Sequence, residues 1–190
     1  MKQGKLIIFS APSGAGKTTI VKHLLKKYPQ LSFSISATTR ESRGNEKDQH
    51  DYYFISKEDF LHKVAHQEFV EFEEVYNGTF YGTLRSEIER IWDEDRHVIF
   101  DIDVEGGLRL KRKYEDAALA IFVQPPSLAV LKERLTGRGT DSEEKLQERF
   151  VKAEKELLYA DKFDVILKNY DLETACAEAE VLIGEFLSIK

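Results

Sequence analysis

Residues 9–19 read FSAPSGAGKTT and follow an apolar run at residues 5–8. Glycine, lysine and threonine at this spacing are typical of a loop whose backbone N–H groups surround phosphate oxygens at the start of a helix. Gly14 and Gly16 leave the backbone open to a ligand and tolerate a positive φ. The segment therefore predicts a phosphate cradle, with an ordinary glycine turn as the alternative. Its candidate binding residues are Ala11, Pro12, Ser13, Gly14, Ala15, Gly16, Lys17, Thr18 and Thr19.

The side chains of the cradle indicate a nucleotide and a metal ion. Lys17 would place a point charge beside the outer phosphates, and the Thr18 hydroxyl can join the shell of Mg²⁺. The usual pattern begins with glycine, where this chain has Ala11. Alanine adds only a methyl group if φ is negative at that position. We therefore expect Ala11 to leave the cradle intact.

A carboxylate for the metal is predicted at the end of a second apolar strand. Residues 98–103 read VIFDID, and an aspartate at the carboxyl end of a parallel strand is where such folds hold a magnesium-organising group. Asp101 is the candidate, binding Mg²⁺ directly or through water together with Thr18, and Asp103 lies behind it. The alternative for Asp101 is a strand-end cap.

Alternating strands and helices are predicted to position these residues. Apolar strands are expected at residues 6–10, 98–103, 119–123 and 163–167. Helices are expected at residues 18–27, 104–113, 128–135 and 172–186. Ser127 is a suitable N-cap for the third of these helices. Near-continuous apolar strands favour a parallel sheet covered on both faces, so the predicted fold class is α/β, a P-loop NTPase fold with a central parallel sheet flanked by helices.

Two segments interrupt this alternation. The first is rich in aromatic and β-forming residues and has one helix, at residues 58–66, that starts from Ser56, so we interpret it as an inserted mixed α/β lobe. The second contains TGRGTDS and is interpreted as a short mobile lid. The predicted division of a single domain 1–190 is a core at residues 1–32 and 97–190, an insertion at approximately 33–96 and a lid at approximately 136–148.

Composition argues against several classes of partner. Of the 190 residues, 42% are hydrophobic and 33% are charged, and the net charge is -6. No apolar run reaches the roughly 20 residues that span a membrane, and no Lys/Arg-rich block favours nucleic acid. The first residues lead straight into a strand, which leaves no room for a signal peptide. The single cysteine, Cys176, favours a reducing compartment, so we expect a cytoplasmic protein without a nucleic-acid or membrane partner.

The order of further motifs resembles a known family. Between the cradle and the lid stretch LTGRGT lie SISATTRESR, HDYYF, EFVEFEEVYNGTFYGT and DIDVEGG. In this order and spacing, nearly end to end, the chain resembles the guanylate kinases. The resemblance implies an ATP:GMP phosphotransferase that reversibly transfers the γ-phosphoryl of Mg-ATP to GMP, and to dGMP, giving ADP and GDP. It also implies Mg²⁺ as the cofactor and a role in purine nucleotide metabolism and GMP recycling.

The resemblance further implies that the insertion binds GMP. Arg40 and Arg43 would hold its phosphate, because the guanidinium fork matches a phosphate dianion. Glu71 would read guanine, whose N1–H and exocyclic amine are adjacent donors that one carboxylate can accept. A solvent-facing strand glutamate is the alternative for Glu71. The implied GMP-binding residues are Ser36, Arg40, Arg43, Tyr52, Glu71, Tyr81, Thr83, Asp101 and Asp103.

The same resemblance assigns the donor side of the reaction. Arg138 and Arg149 would close on the ATP phosphates and stabilise the transferring group, with Arg134 as a weaker third arginine. The alternative for the two lid arginines is a solvated surface charge. Asn169 matches the adenine-side asparagine of the family, although asparagine is also common in turns. The implied catalytic residues are Lys17, Arg40, Asp101, Arg138 and Arg149, and the ATP-binding residues beyond the cradle are Arg134, Arg138 and Asn169.

One departure from the family and three rival functions stay open. After Arg43 the family usually has one residue and then Gly-Glu, whereas residues 44–46 read GNE, so we expect a differently shaped loop.

A non-catalytic guanylate-kinase-like module that binds phosphopeptides is one rival function, and the intact cradle argues against it. A P-loop kinase for AMP, a pyrimidine monophosphate or a sugar phosphate is another, disfavoured by Glu71 and Tyr81. A GTPase is disfavoured because no Asn-Lys-x-Asp motif is recognisable.

Overall fold

The computed structural model describes residues 4–76, 78–137 and 143–188. Nine strands lie in this part of the chain. They are β1 (Leu6–Ser10), β2 (Leu31–Phe33), β3 (Ala37–Thr38), β4 (Tyr53–Phe54), β5 (Phe69–Tyr76), β6 (Thr79–Leu84), β7 (His97–Ile102), β8 (Ala118–Gln124) and β9 (Val165–Lys168).

Seven α-helices connect or cover these strands in the described ranges. They are α1 (Lys17–Lys27), α2 (Lys57–Ala65), α3 (Arg85–Asp93), α4 (Val104–Tyr114), α5 (Leu128–Thr136), α6 (Glu143–Leu157) and α7 (Leu172–Ser188). The hydroxyls of Ser56 and Ser127 accept from backbone N–H groups in the first turns of α2 and α5, which confirms both predicted N-caps. None of the described helices is both long and apolar enough to cross a membrane.

The larger sheet has the order β2-β7-β1-β8-β9, with every neighbouring pair parallel. This confirms the predicted central parallel sheet. Its last strand begins at Val165 rather than at residue 163, because Ala160–Lys162 forms a 3₁₀ turn that ends at Phe163.

Helices cover both faces of this sheet, and the packing of β1 explains why this strand is apolar throughout. Ile7 and Phe9 pack into one core cluster with side chains of α1, α5 and α7, whereas Leu6 and Ile8 pack into another with side chains of α3 and α4. Successive side chains of a strand point to opposite faces, so a strand buried on both sides requires an apolar residue at each position. The layered α/β class is therefore as predicted.

The smaller sheet has the order β4-β3-β6-β5 and mixes parallel and antiparallel pairs. Phe60 of α2 stacks on Phe69 of β5 with 4.3 Å between ring centroids, which closes a small separate core. The inserted mixed α/β lobe is thus confirmed, whereas the limits 33–96 stay a prediction. Helix α3 packs on the parallel sheet through Ile88 and Ile91.

The carboxyl ends of β1 and β7 adjoin each other at one edge of the parallel sheet. The register pairs Phe9 with Asp101 and Ser10 with Ile102. The cradle follows β1, so the carboxylate at the end of β7 is brought directly beside it. In open parallel sheets this edge is where ligands bind.

Candidate active site

The cradle between β1 and α1 has the backbone that its glycines predicted. Gly14 and Gly16 have φ values of 91° and 93°, a region that favours glycine. Ala11 is buried and does not have a positive φ, so the methyl group in place of the usual glycine causes no backbone strain. Helix α1 begins at Lys17, which leaves the first N–H groups of the helix directed at the loop.

Lys17, Thr18 and Asp101 form one polar cluster at the start of α1. Lys17 Nζ lies 2.6 Å from Asp101 Oδ1 and donates to the Ile102 carbonyl at 2.6 Å. The Thr18 hydroxyl donates to Asp101 Oδ2 at 2.5 Å. Burial opposes ionisation of Asp101, but the charge of Lys17 and the hydrogen bonds from Lys17 and Thr18 outweigh it, so the pKa of Asp101 is lowered. The cluster therefore presents an ionised carboxylate and a hydroxyl beside the cradle.

Asp103 is positioned as a helix cap. Its carboxylate accepts from the backbone N–H groups of Glu105 and Gly106, at the beginning of α4, and its carbonyl accepts from the Ser10 hydroxyl at 3.0 Å. These contacts give Asp103 a structural role at the edge of the cleft, and its predicted role in binding GMP stays a prediction.

Arg40 is the most extensively bonded of the predicted phosphate ligands. Its two terminal nitrogens donate to both carboxylate oxygens of Glu46, at 2.6 and 2.8 Å, and its Nε donates to the Tyr81 hydroxyl at 3.1 Å. The guanidinium also lies over the Tyr52 ring, 4.8 Å from the centroid. Burial raises the pKa of the Tyr52 phenol, which keeps it a neutral donor. The structure thus brings Arg40 and the two tyrosines together, and their role in binding a phosphate stays a prediction.

The altered sequence after Arg43 folds into a tight turn. Gly44 has a φ of 56°, and the Glu46 N–H donates to the Arg43 carbonyl at 3.1 Å. The Glu46 carboxylate accepts in turn from the Arg43 N–H at 2.8 Å. Glycine at residue 44 therefore supplies the left-handed conformation that this turn requires, and Arg43 stays at the rim of the cleft.

Glu71 is buried against its strand partner rather than solvent-facing. It is 6% exposed, and Thr83, its partner in the β5–β6 register, donates its hydroxyl to Glu71 Oε1 at 2.8 Å. Burial raises the pKa of the Glu71 carboxyl to about 7, although the hydrogen bond from Thr83 opposes this shift. By contrast, Glu74 of the same strand is exposed.

This raised pKa predicts a pH dependence of GMP use. If Glu71 reads guanine, as the family resemblance implies, the guanine donors require its carboxylate form, so kcat/KM for GMP should fall as pH drops below about 7. We expect the ratio of kcat/KM between wild type and Glu71→Gln to fall about tenfold between pH 8 and pH 6. Titration of the GMP phosphate affects both enzymes and cancels in that ratio. A constant ratio across this range would contradict the assignment.

The cradle and the acceptor residues line one cleft of about 380 Å³. The lining contains many of the residues that the sequence predicted for the site. They are the whole loop from Ala11 to Thr19 together with Ser36, Arg40, Arg43, Tyr52, Tyr81, Asp101, Asp103 and Arg149. Among the described residues, Glu71 and Thr83 are buried in the smaller sheet and are not part of this lining. The two predicted halves of the site therefore face a single space.

The remaining donor-side predictions have different outcomes. Asn169 is buried and its amide donates to the Ala15 carbonyl at 2.7 Å, so it supports the backbone of the cradle. An added Cβ on Gly16 would lie only 2.3 Å from the Asn169 amide nitrogen, which is a second reason for glycine there. Arg134 lies on the exposed side of α5 and outside the cleft lining. Arg138 lies outside the described residues.

Among the lining residues of the cleft that were not predicted from the sequence are two charged ones, Lys152 and Glu156. Both lie on α6, and burial raises the pKa of the Glu156 carboxyl to about 7, against the opposing charge of Lys152. They follow Arg149 by three and seven residues, a spacing that places them on the same face of a helix. This helical spacing after Arg149 is the sequence signal that could have identified Lys152 and Glu156 as cleft residues.

A cradle after the first strand of a parallel sheet, facing an arginine and tyrosine pocket on an inserted lobe, defines a P-loop kinase of the nucleoside monophosphate type. A family model described as guanylate kinase matches residues 3–185. The chain therefore belongs to the guanylate kinase family.

Individual relatives agree over nearly the whole chain. A guanylate kinase of Bacteroides fragilis is 50% identical over 187 residues, covering 98% of this chain and 92% of the relative. One of Salinibacter ruber is 47% identical and covers 99% of this chain and 100% of the relative. The crystal structure of guanylate kinase from Anaplasma phagocytophilum superposes with a TM-score of 0.78 at 29% identity, covering 98% of this chain and 88% of that one.

Proposed function

We propose that this enzyme reversibly transfers the γ-phosphoryl group of ATP to GMP, giving ADP and GDP. The observation that carries the proposal is the single cleft that joins a phosphate cradle to the Arg40, Tyr52 and Tyr81 cluster. Direct transfer requires the donor and acceptor phosphates to meet in one space, and this arrangement provides it.

The donor nucleotide binds to the cradle through its phosphates. Backbone N–H groups of the loop and the start of α1 surround them, and Lys17 adds a charge beside the outer phosphates. Asn169 keeps the loop in its binding conformation through the Ala15 carbonyl. In this role Asn169 acts on ATP through the cradle, in addition to any contact with adenine.

The residues beside the cradle suit Mg²⁺. The Thr18 hydroxyl and the ionised Asp101 carboxylate are hard oxygen donors, 2.5 Å apart. In the described part of the chain no three His, Cys, Asp or Glu residues form a metal-binding group. When bound, Mg²⁺ would neutralise negative charge on the donor phosphates. Thr18 and Asp101 would hold it directly or through water.

The acceptor binds in the inserted lobe. Arg40 and Arg43 hold the GMP phosphate together with the hydroxyls of Tyr52 and Tyr81. Glu71 accepts from the guanine N1–H and amine, with support from Thr83. Ser36, at the edge of the same cleft, assists in reading the base.

Phosphoryl transfer then depends on the alignment of the two nucleotides and on positive charge around the transferring group, rather than on a general base. The attacking oxygen belongs to a phosphate that is already anionic, so no general base and no covalent enzyme intermediate are needed. Arg149, which lines the cleft, stabilises the charge of the transferring group, and the family resemblance assigns the same role to Arg138, outside the described residues.

An acceptor panel tests the proposal. Purified enzyme with ATP and Mg²⁺ is offered GMP, dGMP, AMP, UMP, CMP and a sugar phosphate, and ADP formation is followed in a coupled assay. We expect turnover with GMP and dGMP that exceeds the others by orders of magnitude. Turnover with another acceptor but not GMP would identify a different P-loop kinase, and none at all would indicate a binding module. The expected activity suits GMP recycling in a reducing, cytoplasmic setting.

A further inference from the structure

Glu87 is a buried carboxylate of α3 that lies outside the cleft. It is 2% exposed. Its Oε1 accepts from the Ile35 backbone N–H and from Arg90 Nη2, each at 3.0 Å. Its Oε2 accepts from the Tyr53 hydroxyl at 2.9 Å and from Arg90 Nε at 3.0 Å. Burying a carboxylate is costly unless it is paired and hydrogen-bonded, so these partners are what make its position stable.

The partners of Glu87 lie on both sides of the junction between the two sheets. Helix α3 is fixed to the parallel sheet, because Ile88 and Ile91 pack in the core beside β1 and β7. Ile35 lies in the connection from β2 to β3, where the chain crosses to the smaller sheet, and Tyr53 lies in β4. Glu87 itself follows the return crossing from β6 to α3. It therefore ties the inserted lobe to the parallel sheet at the place where the chain passes between them.

Both lobe partners of Glu87 adjoin residues that line the cleft. Ser36 follows Ile35, and Tyr52 precedes Tyr53. The Tyr53 N–H donates to the Ser36 carbonyl at 2.9 Å, which joins the two segments. Successive side chains in an extended strand point to opposite sides, so holding Tyr53 toward Glu87 directs Tyr52 toward the cleft. A displacement of Glu87 would therefore move Ser36 and Tyr52 together.

We propose that Glu87 is a positioning residue for the acceptor nucleotide, an inference that rests on the proposed function. Its carboxylate fixes Ser36 and Tyr52 relative to the parallel sheet that carries the phosphate cradle. Glu87 touches neither nucleotide in this role and acts through the Ile35 backbone and the Tyr53 hydroxyl. The GMP side of the cleft should depend on it, and the ATP side should not.

Two substitutions test this positioning role. Glu87→Gln removes the charge and replaces one acceptor oxygen with an amide NH₂ group, which donates, and Tyr53→Phe removes only the hydroxyl that reaches Glu87. We expect Glu87→Gln to raise KM for GMP about tenfold and Tyr53→Phe about threefold, because small displacements of binding groups weaken binding steeply. KM for ATP should change less than about twofold in both. Steady-state kinetics for each substrate and calorimetric titration of GMP measure the split, at a temperature where circular dichroism shows each variant folded.

A matched control is Glu94→Gln. Glu94 bonds the same arginine, accepting from Arg90 Nη1 at 2.9 Å, but from the exposed end of α3. Both KM values of this variant should stay near those of wild type. The positioning role would be overturned if KM for GMP and KM for ATP changed equally within Glu87→Gln and within Tyr53→Phe, or if neither KM changed. If Glu87→Gln does not fold, the result for Tyr53→Phe decides. Wild-type enzyme that fails to phosphorylate GMP would overturn the proposed function and this inference with it.

Discussion

Replacing Lys17 with alanine is expected to lower kcat for GMP phosphorylation by about a thousandfold while the protein stays folded. The Lys17 ammonium is held beside the cradle by Asp101 Oδ1 and the Ile102 carbonyl, each at 2.6 Å. During transfer, negative charge spreads over the phosphoryl oxygens, and a cation fixed there stabilises the transition state more than the bound substrates. The loss should therefore appear in kcat, with KM for GMP nearly unchanged. A coupled assay of ADP formation at saturating substrates measures it.

The matched control for this substitution is Lys26→Ala. Lys26 is also on α1 but lies exposed in its last turn, so we expect kcat within about twofold of wild type. Circular dichroism and thermal unfolding should show both variants folded, because the Thr18 hydroxyl keeps Asp101 as an available acceptor when the Lys17 side chain is removed. A Lys17→Ala enzyme with near-normal kcat would refute the role of this lysine.

Four of the five strands of the parallel sheet, the helices that follow them and the cradle could be predicted from the sequence because each depends on local pattern, whereas the three-residue strand β2 was not predicted. Apolar strands with a buried residue at every position, such as β1, have few other interpretations. Gly14 and Gly16 predicted the positive φ that both residues adopt in the loop. Ser56 and Ser127 marked helix starts through bonds that span three residues.

Contacts between distant parts of the chain could not be predicted in this way. The hydrogen bond from Asn169 to the Ala15 carbonyl joins residues 154 positions apart, and the one from Ile35 to Glu87 joins residues 52 apart. Nothing in the local pattern distinguishes Glu87 from an exposed helix glutamate. Asp103 was predicted to lie behind Asp101 and to bind GMP, but it was not identified from the sequence as the N-cap of α4 that the structure shows. Resemblance to a family supplied residue roles that spacing alone left open, as at Glu71.

Substitution of Glu71 by alanine is expected to remove most of the preference for GMP over AMP. Oε1 of the buried Glu71 carboxylate accepts from the Thr83 hydroxyl. Oε2 lies beside the first turn of α4, 2.9 Å from the position that a Cβ on Gly106 would take. Guanine presents two donors to this group, whereas adenine N1 is an acceptor and would be repelled. Loss of the carboxylate leaves the guanine donors unpaired, so kcat/KM for GMP should fall about 100-fold or more. The repulsion of AMP disappears at the same time, which lowers the selectivity ratio further.

Glu74→Ala separates this effect from a general change in β5. Glu74 is exposed and accepts from the Gly78 N–H, so its loss should leave the ratio of kcat/KM for GMP and AMP unchanged. KM for ATP should be close to wild type in both variants, since the cradle lies on the parallel sheet. If Glu71→Ala keeps the wild-type ratio, guanine must be read by other groups of the lobe, such as Ser36. Selectivity that depends on Glu71 alone would mean that one buried carboxylate both rejects adenine and sets the pH below which GMP use declines.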